Sequence, residues 1–200
     1  MHPNPIFAAG DEVAALALIA EVAFGQLFLQ TPAGPRVANV PLLHVNGALR
    51  FHLANGNALT CHLGGATALI NIVGPNAYIS PNWYVGADQV PTWNYVSVEI
   101  EGPVRGMARA ELVELLDQSA ATFEPQVGQN WTRAKMSPAR FEAMCSAITG
   151  FEMSIAACRT THKLSQNKSD ADLAGVFAGL AANGKGAIAQ RMARARKPAK

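Results

Sequence analysis

The sequence predicts an α+β fold, a β-barrel with helices packed around it, and three observations carry that expectation. Extended segments punctuated by turn residues fill the first half, and the second half changes to helical spacing. Half of the 200 residues are apolar and 15% are charged, which is enough hydrophobic side chain for one core. A chain of this length makes one ordinary domain, placed at residues 1–184, with 185–200 as a basic helix end or tail.

Asp11 is placed to cap a short helix to about Val22, because its carboxylate can accept the free N–H groups of the first turn. Val13, Leu16 and Ala20 then share a face. Phe24 to Thr31 reads as extended, followed by a Pro32-Ala33-Gly34-Pro35 turn, a strand from Arg36 to Val45 and another from Ala48 to Ala54. Between these last two, Asn46-Gly47 is the strongest hairpin signal, since both central positions of a type I′ turn need positive φ. Asn55 to Gly65 reads as a short irregular or helical connection.

Ala66 to Val73 is nearly continuous in apolar residues, which predicts a strand buried on both faces. Gly74-Pro75 closes it, and Ala77 to Ser80 forms a short extended piece. From Thr92 to Val104, Val96, Val98 and Ile100 alternate with Ser97, Glu99 and Glu101, which predicts a strand with one wet face.

Arg109 to Phe123 carries Leu112, Leu115, Leu116 and Ala120 at helical spacing. Ser137-Pro138 opens a second helix to about Ile148, with serine as cap and proline at the first helical position. Phe151 to Thr160 returns as a strand. Ser169 with Asp172 resembles a capping box for a helix to Ala182, which Asn183-Gly184 ends.

Charge is informative once located. Residues 1–104 carry only Arg36 and Arg50 against six acids, residues 105–184 balance at eight and eight, and the last sixteen carry six basic groups and no acid. The net charge of +2 is therefore a tail effect. Arg191, Arg194, Arg196, Lys197 and Lys200 read first as a solvated helix end and frayed terminus, with nucleic-acid contact as the alternative.

Cys61, Cys145 and Cys158 are widely spaced with no CxxC pair, as reduced thiols are, and nothing resembles an export or membrane-spanning segment; a cytoplasmic location is expected. His2, His44, His52, His62 and His162 show no metal spacing, and an axial role toward haem stays open for one of them. There is no phosphate loop and no dinucleotide fingerprint.

Three polar clusters adjoin otherwise apolar strands: His52 to Asn57, Gly74 to Tyr84, and Val90 to Tyr95. The latter two hold two of the three tryptophans and all three tyrosines. Aromatic rings with polar tips beside Ser, Thr and Asn suit a flat heteroaromatic ligand with hydrogen-bonding edges, and they equally suit a packed barrel corner.

The run Gly-Pro-Asn-Ala-Tyr-Ile-Ser-Pro-Asn-Trp-Tyr from Gly74, then Val-Pro-Thr-Trp-Asn-Tyr from Val90 and Lys163-Leu164-Ser165-Gln166-Asn167, resembles the PaiB family of FMN-binding negative transcriptional regulators. The similarity begins at Pro3 and Phe7, includes Pro41-Leu42-Leu43 and continues to about Met192. The resemblance implies a split β-barrel of the pyridoxamine-phosphate oxidase type, a homodimer in which two subunits share each flavin site, and FMN as cofactor. Candidate contacts are Asn39, His52, Asn55, Asn57, Tyr78, Ser80, Trp83, Thr92, Trp93 and Asn94, with Lys163, Ser165 and Gln166 behind them.

The chain departs from the family pattern in places. Asn39 and Asn76 stand where histidines are expected, and in the family's His-x-Ala-Arg-x-Asn-Pro motif Asn55 replaces the arginine and Ala58 the proline. Losing that arginine removes a charge partner for a phosphate, for which Arg50, Lys163 or backbone N–H groups are the available substitutes. The resemblance leaves three readings: an FMN-binding protein with flavin-linked redox chemistry, a DNA-binding regulator, and a barrel dimer that has lost its flavin.

Overall fold

A computed structural model describes residues 4–9, 12–128 and 131–196. In chain order the elements are β1 (Ala8–Ala9), α1 (Glu12–Val22), β2 (Phe24–Thr31), β3 (Gly34–Pro41), β4 (Leu43–Val45), β5 (Ala48–Ala54), α2 (Thr60–Leu63), β6 (Thr67–Ile79), β7 (Thr92–Gly106), α3 (Arg109–Val127), α4 (Pro138–Cys145), β8 (Ile148–Ser154), β9 (Ala157–Lys163), α5 (Asp170–Ala182) and α6 (Gly186–Arg196). The chain divides into two compact units: a larger one of Leu16–Ile72 and Ile100–Cys158, and a smaller one of Met1–Ala15, Val73–Glu99 and Arg159–Lys200.

The strands follow the order β3-β2-β6-β7-β8-β5-β4, of which residues 67–72 of β6 and 100–106 of β7 belong to the larger unit. β2 and β3 form a hairpin from Phe24↔Pro41 to Thr31↔Gly34, and β5 pairs antiparallel with β8 from Ala48↔Ser154 to Ala54↔Ile148. The turn between β4 and β5 has the expected form: Asn46 lies at φ 51° and Gly47 at 79°. Leu27, Leu49, Phe51, Ile70, Ile100 and Met153 fill the core, with Phe51 stacked on Phe151 at a centroid distance of 5.8 Å. α3 buries Leu112 and Leu115 against this sheet.

In the smaller unit β9 pairs with β1 through Ala8↔Thr161 and Ala9↔Thr160 and runs beside β7. α5 contributes Leu173, Val176 and Leu180 to its core, and α6 contributes Ile188 and Met192. The Ser169 hydroxyl accepts from the Asp172 N–H at 3.1 Å, capping α5 as the sequence predicts.

Several boundaries differ from the sequence reading for identifiable reasons. The expected strand from Arg36 to Val45 is two strands, because the chain changes partner at Leu42: β3 pairs with β2 and β4 with β5. β6 is one strand of 13 residues, and its burial alternates where two buried faces were expected. That alternation slips at Pro75-Asn76, two outward residues in succession, as an extra residue in a strand produces. The strand from Phe151 to Thr160 is likewise broken into β8 and β9.

α3 runs on to Val127, and α4 stops at Cys145, three residues before the expected Ile148. The basic segment to Arg196 is a helix that buries Ile188 and Met192 and leaves Arg194 and Arg196 exposed. The Asp11 cap, Lys197 and Lys200 lie outside the described residues.

Candidate functional site

The smaller unit contains a cleft of about 250 Å³ lined by Phe7, Tyr84, Val90, Thr92, Asn94, Lys163, Ser165, Asn167 and Lys168. Thr92 and Asn94 are two residues apart on β7 and so share a face. Lys163 ends β9, and its Nζ donates to Thr92 Oγ1 at 2.5 Å. Lys168 donates to Gln89 Oε1 at 2.6 Å and lies 4.4 Å from the centre of the Tyr84 ring. Neither lysine forms a salt bridge among the described residues, though Lys168 lies within electrostatic reach of Asp172.

Asn94 is fully buried at the floor of this cleft. Its amide donates to Ser165 Oγ at 2.8 Å and contacts Met192 Sδ at 3.4 Å, tying the motif after β9 and helix α6 to one strand. Ser165 sits in the left-handed region at φ 59°, costly for a residue with a Cβ, and Gln166 braces the same turn. Gln166 Oε1 accepts from the Leu164 N–H at 2.7 Å, and its amide donates to the His162 carbonyl. Gln166 is therefore a support for the turn. Burial pushes the Tyr84 phenol above its usual range, against the opposing effect of the nearby Ser165 hydroxyl.

The remaining candidates of this unit point elsewhere. Tyr78 and Trp93 form an edge-to-face pair 6.2 Å apart, each about half exposed. Trp93 lies between Thr92 and Asn94 in sequence and so faces the opposite side of β7. Ser80 caps a 3₁₀ turn at Pro81–Trp83, accepting from the Asn82 N–H at 3.2 Å. Trp83 packs on α5 so closely that a Cβ at Gly179 would lie 2.3 Å from its ring.

Four candidates belong to the larger unit. Asn39 is exposed on β3 opposite Gln26. Asn55 donates to the Ser146 carbonyl and accepts from Thr149 Oγ1, both at 2.8 Å, and Asn57 Oδ1 accepts from the Leu59 N–H at 2.9 Å. These two side chains hold backbone and neighbouring loops. His52 opens onto a second cavity, of about 440 Å³, and burial holds its imidazole below the usual histidine range, favouring the neutral ring. Arg50 is committed to Glu152 at 2.7 Å and to Glu114 at 3.7 Å, so it does not replace the missing phosphate arginine.

Comparison with known proteins settles the family. Residues 1–157 match the family described as "Putative FMN-binding domain". The chain belongs to this family. A member of the curated proteins, "Protease synthase and sporulation protein PAI 2" of Bacillus subtilis (strain 168), is 33% identical over 109 residues, which is 54% of this chain and 52% of that one. The chain thus spans about half the length of that relative.

Among solved structures, the flavocytochrome Anf3 from Azotobacter vinelandii matches with a TM-score of 0.65 at 12% identity, covering 87% of this chain and 78% of that one. The FAD and heme binding protein from Mycobacterium smegmatis gives 0.62 at 14% identity, covering 84% and 78%. The fold of this FMN-binding family member is the split β-barrel with flanking helices that the sequence predicts.

A flavin fits this family member, and FMN is its cofactor. The donor set around the cleft matches the phosphate end of the molecule: two lysines outside any salt bridge among the described residues, the hydroxyl residues Tyr84, Thr92 and Ser165, and Asn167. Of the cleft residues, Lys168 was absent from the sequence reading, while Asn167 and Tyr84 stood in its motifs without being named as contacts. Lys168 follows the Lys163 to Asn167 motif directly, and its charge one residue beyond it was the available signal.

Proposed function

We propose that the protein is an FMN-dependent redox protein acting as a homodimer, with the flavin phosphate held by Lys163 and Lys168. The observation that carries this reading is the pair of lysines in this cleft, Lys163 on Thr92 and Lys168 on Gln89, neither in a salt bridge among the described residues, in a chain of the FMN-binding family. Charge-assisted contacts are about twice as strong as neutral ones, so two lysines can replace the arginine absent at Asn55. The cleft volume of about 250 Å³ suits a phosphate and part of the chain beyond it, which leaves the ring system to be covered by other residues or a second copy.

When bound, the flavin ring takes up and returns electrons, and the protein supplies orientation and hydrogen bonds. Lys163 and Lys168 neutralise the phosphate. Asn94 fixes Ser165, and Gln166 fixes the turn that carries it. The deciding measurement is the absorbance spectrum of the purified protein followed by titration with FMN. Flavin bands, or saturable quenching of FMN fluorescence, are expected; colourless protein that leaves FMN fluorescence unchanged overturns the reading.

A second reading, a cytoplasmic DNA-binding regulator, is favoured by one observation. α6 buries Ile188 and Met192 and leaves Arg194 and Arg196 exposed in its last turn, which concentrates positive charge at that helix end. Arg196 is partly used by its ion pair with Asp170. Retardation of promoter DNA that survives moderate salt and disappears on deleting residues 185–200 would support it; absence of retardation at low salt rejects it.

A further inference from the structure

We infer that the cavity beside His52 in the larger unit is a binding site for a small, uncharged, planar aromatic molecule. This cavity shares no lining residue with the Lys163 cleft. Its volume of about 440 Å³ falls within the range of roughly 300–1,000 Å³ typical of small-molecule sites.

The walls arise from the way α3 meets the sheet. α3 buries Leu112 and Leu115, while Leu116, Ala120 and Phe123 on its adjoining face are only half covered. α4 brings Phe141, Met144 and Cys145, and Met136 and Ile148 complete the apolar lining. Trp131 and Met144 face water at 36% and 55% exposure, a cost that a ligand lying against them removes.

The polar groups set the ligand's chemistry. His52 has Gly150 as its cross-strand partner, so the residue directly opposite it carries no side chain. Its imidazole makes no hydrogen bond among the described residues, and it offers one donor or acceptor to a guest. Arg133 is occupied, paired with Asp117 at 3.3 Å and stacked over Phe141 at 5.6 Å. Glu124 accepts the Trp131 N–H at 3.3 Å and has no basic partner among the described residues. Two carboxylates thus outnumber one guanidinium, a balance that opposes phosphates, carboxylates and sulfonates. An aromatic molecule with a carbonyl or hydroxyl for His52 fits this lining.

Titration with Nile red, an uncharged planar dye carrying a carbonyl, tests the site. One saturable site per chain is expected, with 8-anilinonaphthalene-1-sulfonate, of similar apolar character but anionic, binding at least tenfold more weakly. Ala120→Trp, which fills the cavity, is expected to abolish dye binding while leaving FMN affinity unchanged, and His52→Leu to weaken the dye by about tenfold. Thermal melts of both variants establish that they fold. Dye binding that survives Ala120→Trp, equal affinity for the two dyes, absence of saturable binding, or mole-for-mole displacement of Nile red by FMN would each overturn the assignment.

Discussion

At the scale of single residues, the proposed phosphate contacts of the smaller unit and the residues that brace its turns respond differently to substitution. Lys163→Ala and Lys168→Ala each remove one charge-assisted contact worth about 1.5–3 kcal/mol, so FMN affinity should fall roughly 10- to 100-fold for each, with little change in melting temperature. FMN titration by fluorescence quenching checks this, and unchanged affinity in both variants would place the phosphate elsewhere. Asn94→Leu should behave oppositely. It leaves the buried Ser165 hydroxyl without its 2.8 Å partner, at a cost of about 1–3 kcal/mol measurable by urea unfolding even without flavin. The sequence made both classes visible as polar residues near strands but could not sort them. Strand alternation was sufficient to put Trp93 on the other side of β7 from Thr92 and Asn94, and the Asn57 bond to the Leu59 N–H is equally local; Asn55, in contrast, has a backbone partner that only folding brings near.

At the scale of elements, legibility depended on how local the cause was. The hairpin at Asn46-Gly47 and the cap at Ser169 are set by neighbouring residues and appeared where expected. The division of β3 from β4 and the continuity of β6 through Gly74-Pro75 depend on which strand lies alongside, which periodicity does not report. The packing of α5 is also invisible in sequence, since its glycines read only as weak helix formers. A Cβ at Gly175 would lie 1.9 Å from the Trp83 carbonyl oxygen. Gly175→Ala should gain up to about 1 kcal/mol of helix propensity and lose about 1–3 kcal/mol to overpacking, a net destabilisation. Urea unfolding of the variant measures the sign, and a stabilised protein would contradict the close contact.

Between elements of the larger unit, Arg105 joins Glu152 at 2.8 Å and Glu111 at 2.7 Å, and Arg50 joins Glu152. Glu111 is held at about 2, chiefly by the Arg105 hydrogen bond. Burial alone would raise Glu152, but Arg50 and Arg105 together hold it below the ordinary carboxylate value. Carboxylates depressed in the folded state stabilise it above their unfolded value, 4.5 here, and that contribution is lost as pH falls through the folded value. Melting temperature should therefore decline from about pH 4.5 toward pH 2, and Arg105→Gln should flatten that decline. An unchanged acid limb in the variant would show that the ion network does not set it.

At the scale of the whole molecule, the open question is what covers the Tyr78 and Trp93 pair. Both rings are about half exposed, on the face of β7 away from the Lys163 cleft. Large aromatics exposed together are characteristic of interface cores, where their burial supplies much of the affinity. If this pair lies in the proposed homodimer seam, the protein should run as a dimer by light scattering, and Trp93→Glu should shift it toward monomer by placing a charge where water is excluded. The same variant should lose FMN affinity, because a flavin shared between copies cannot be completed by one. Lys163→Ala provides the contrast: it should weaken FMN while leaving the dimer intact. A wild-type protein that is monomeric, or a Trp93→Glu monomer that still binds FMN fully, would confine the flavin site to a single chain.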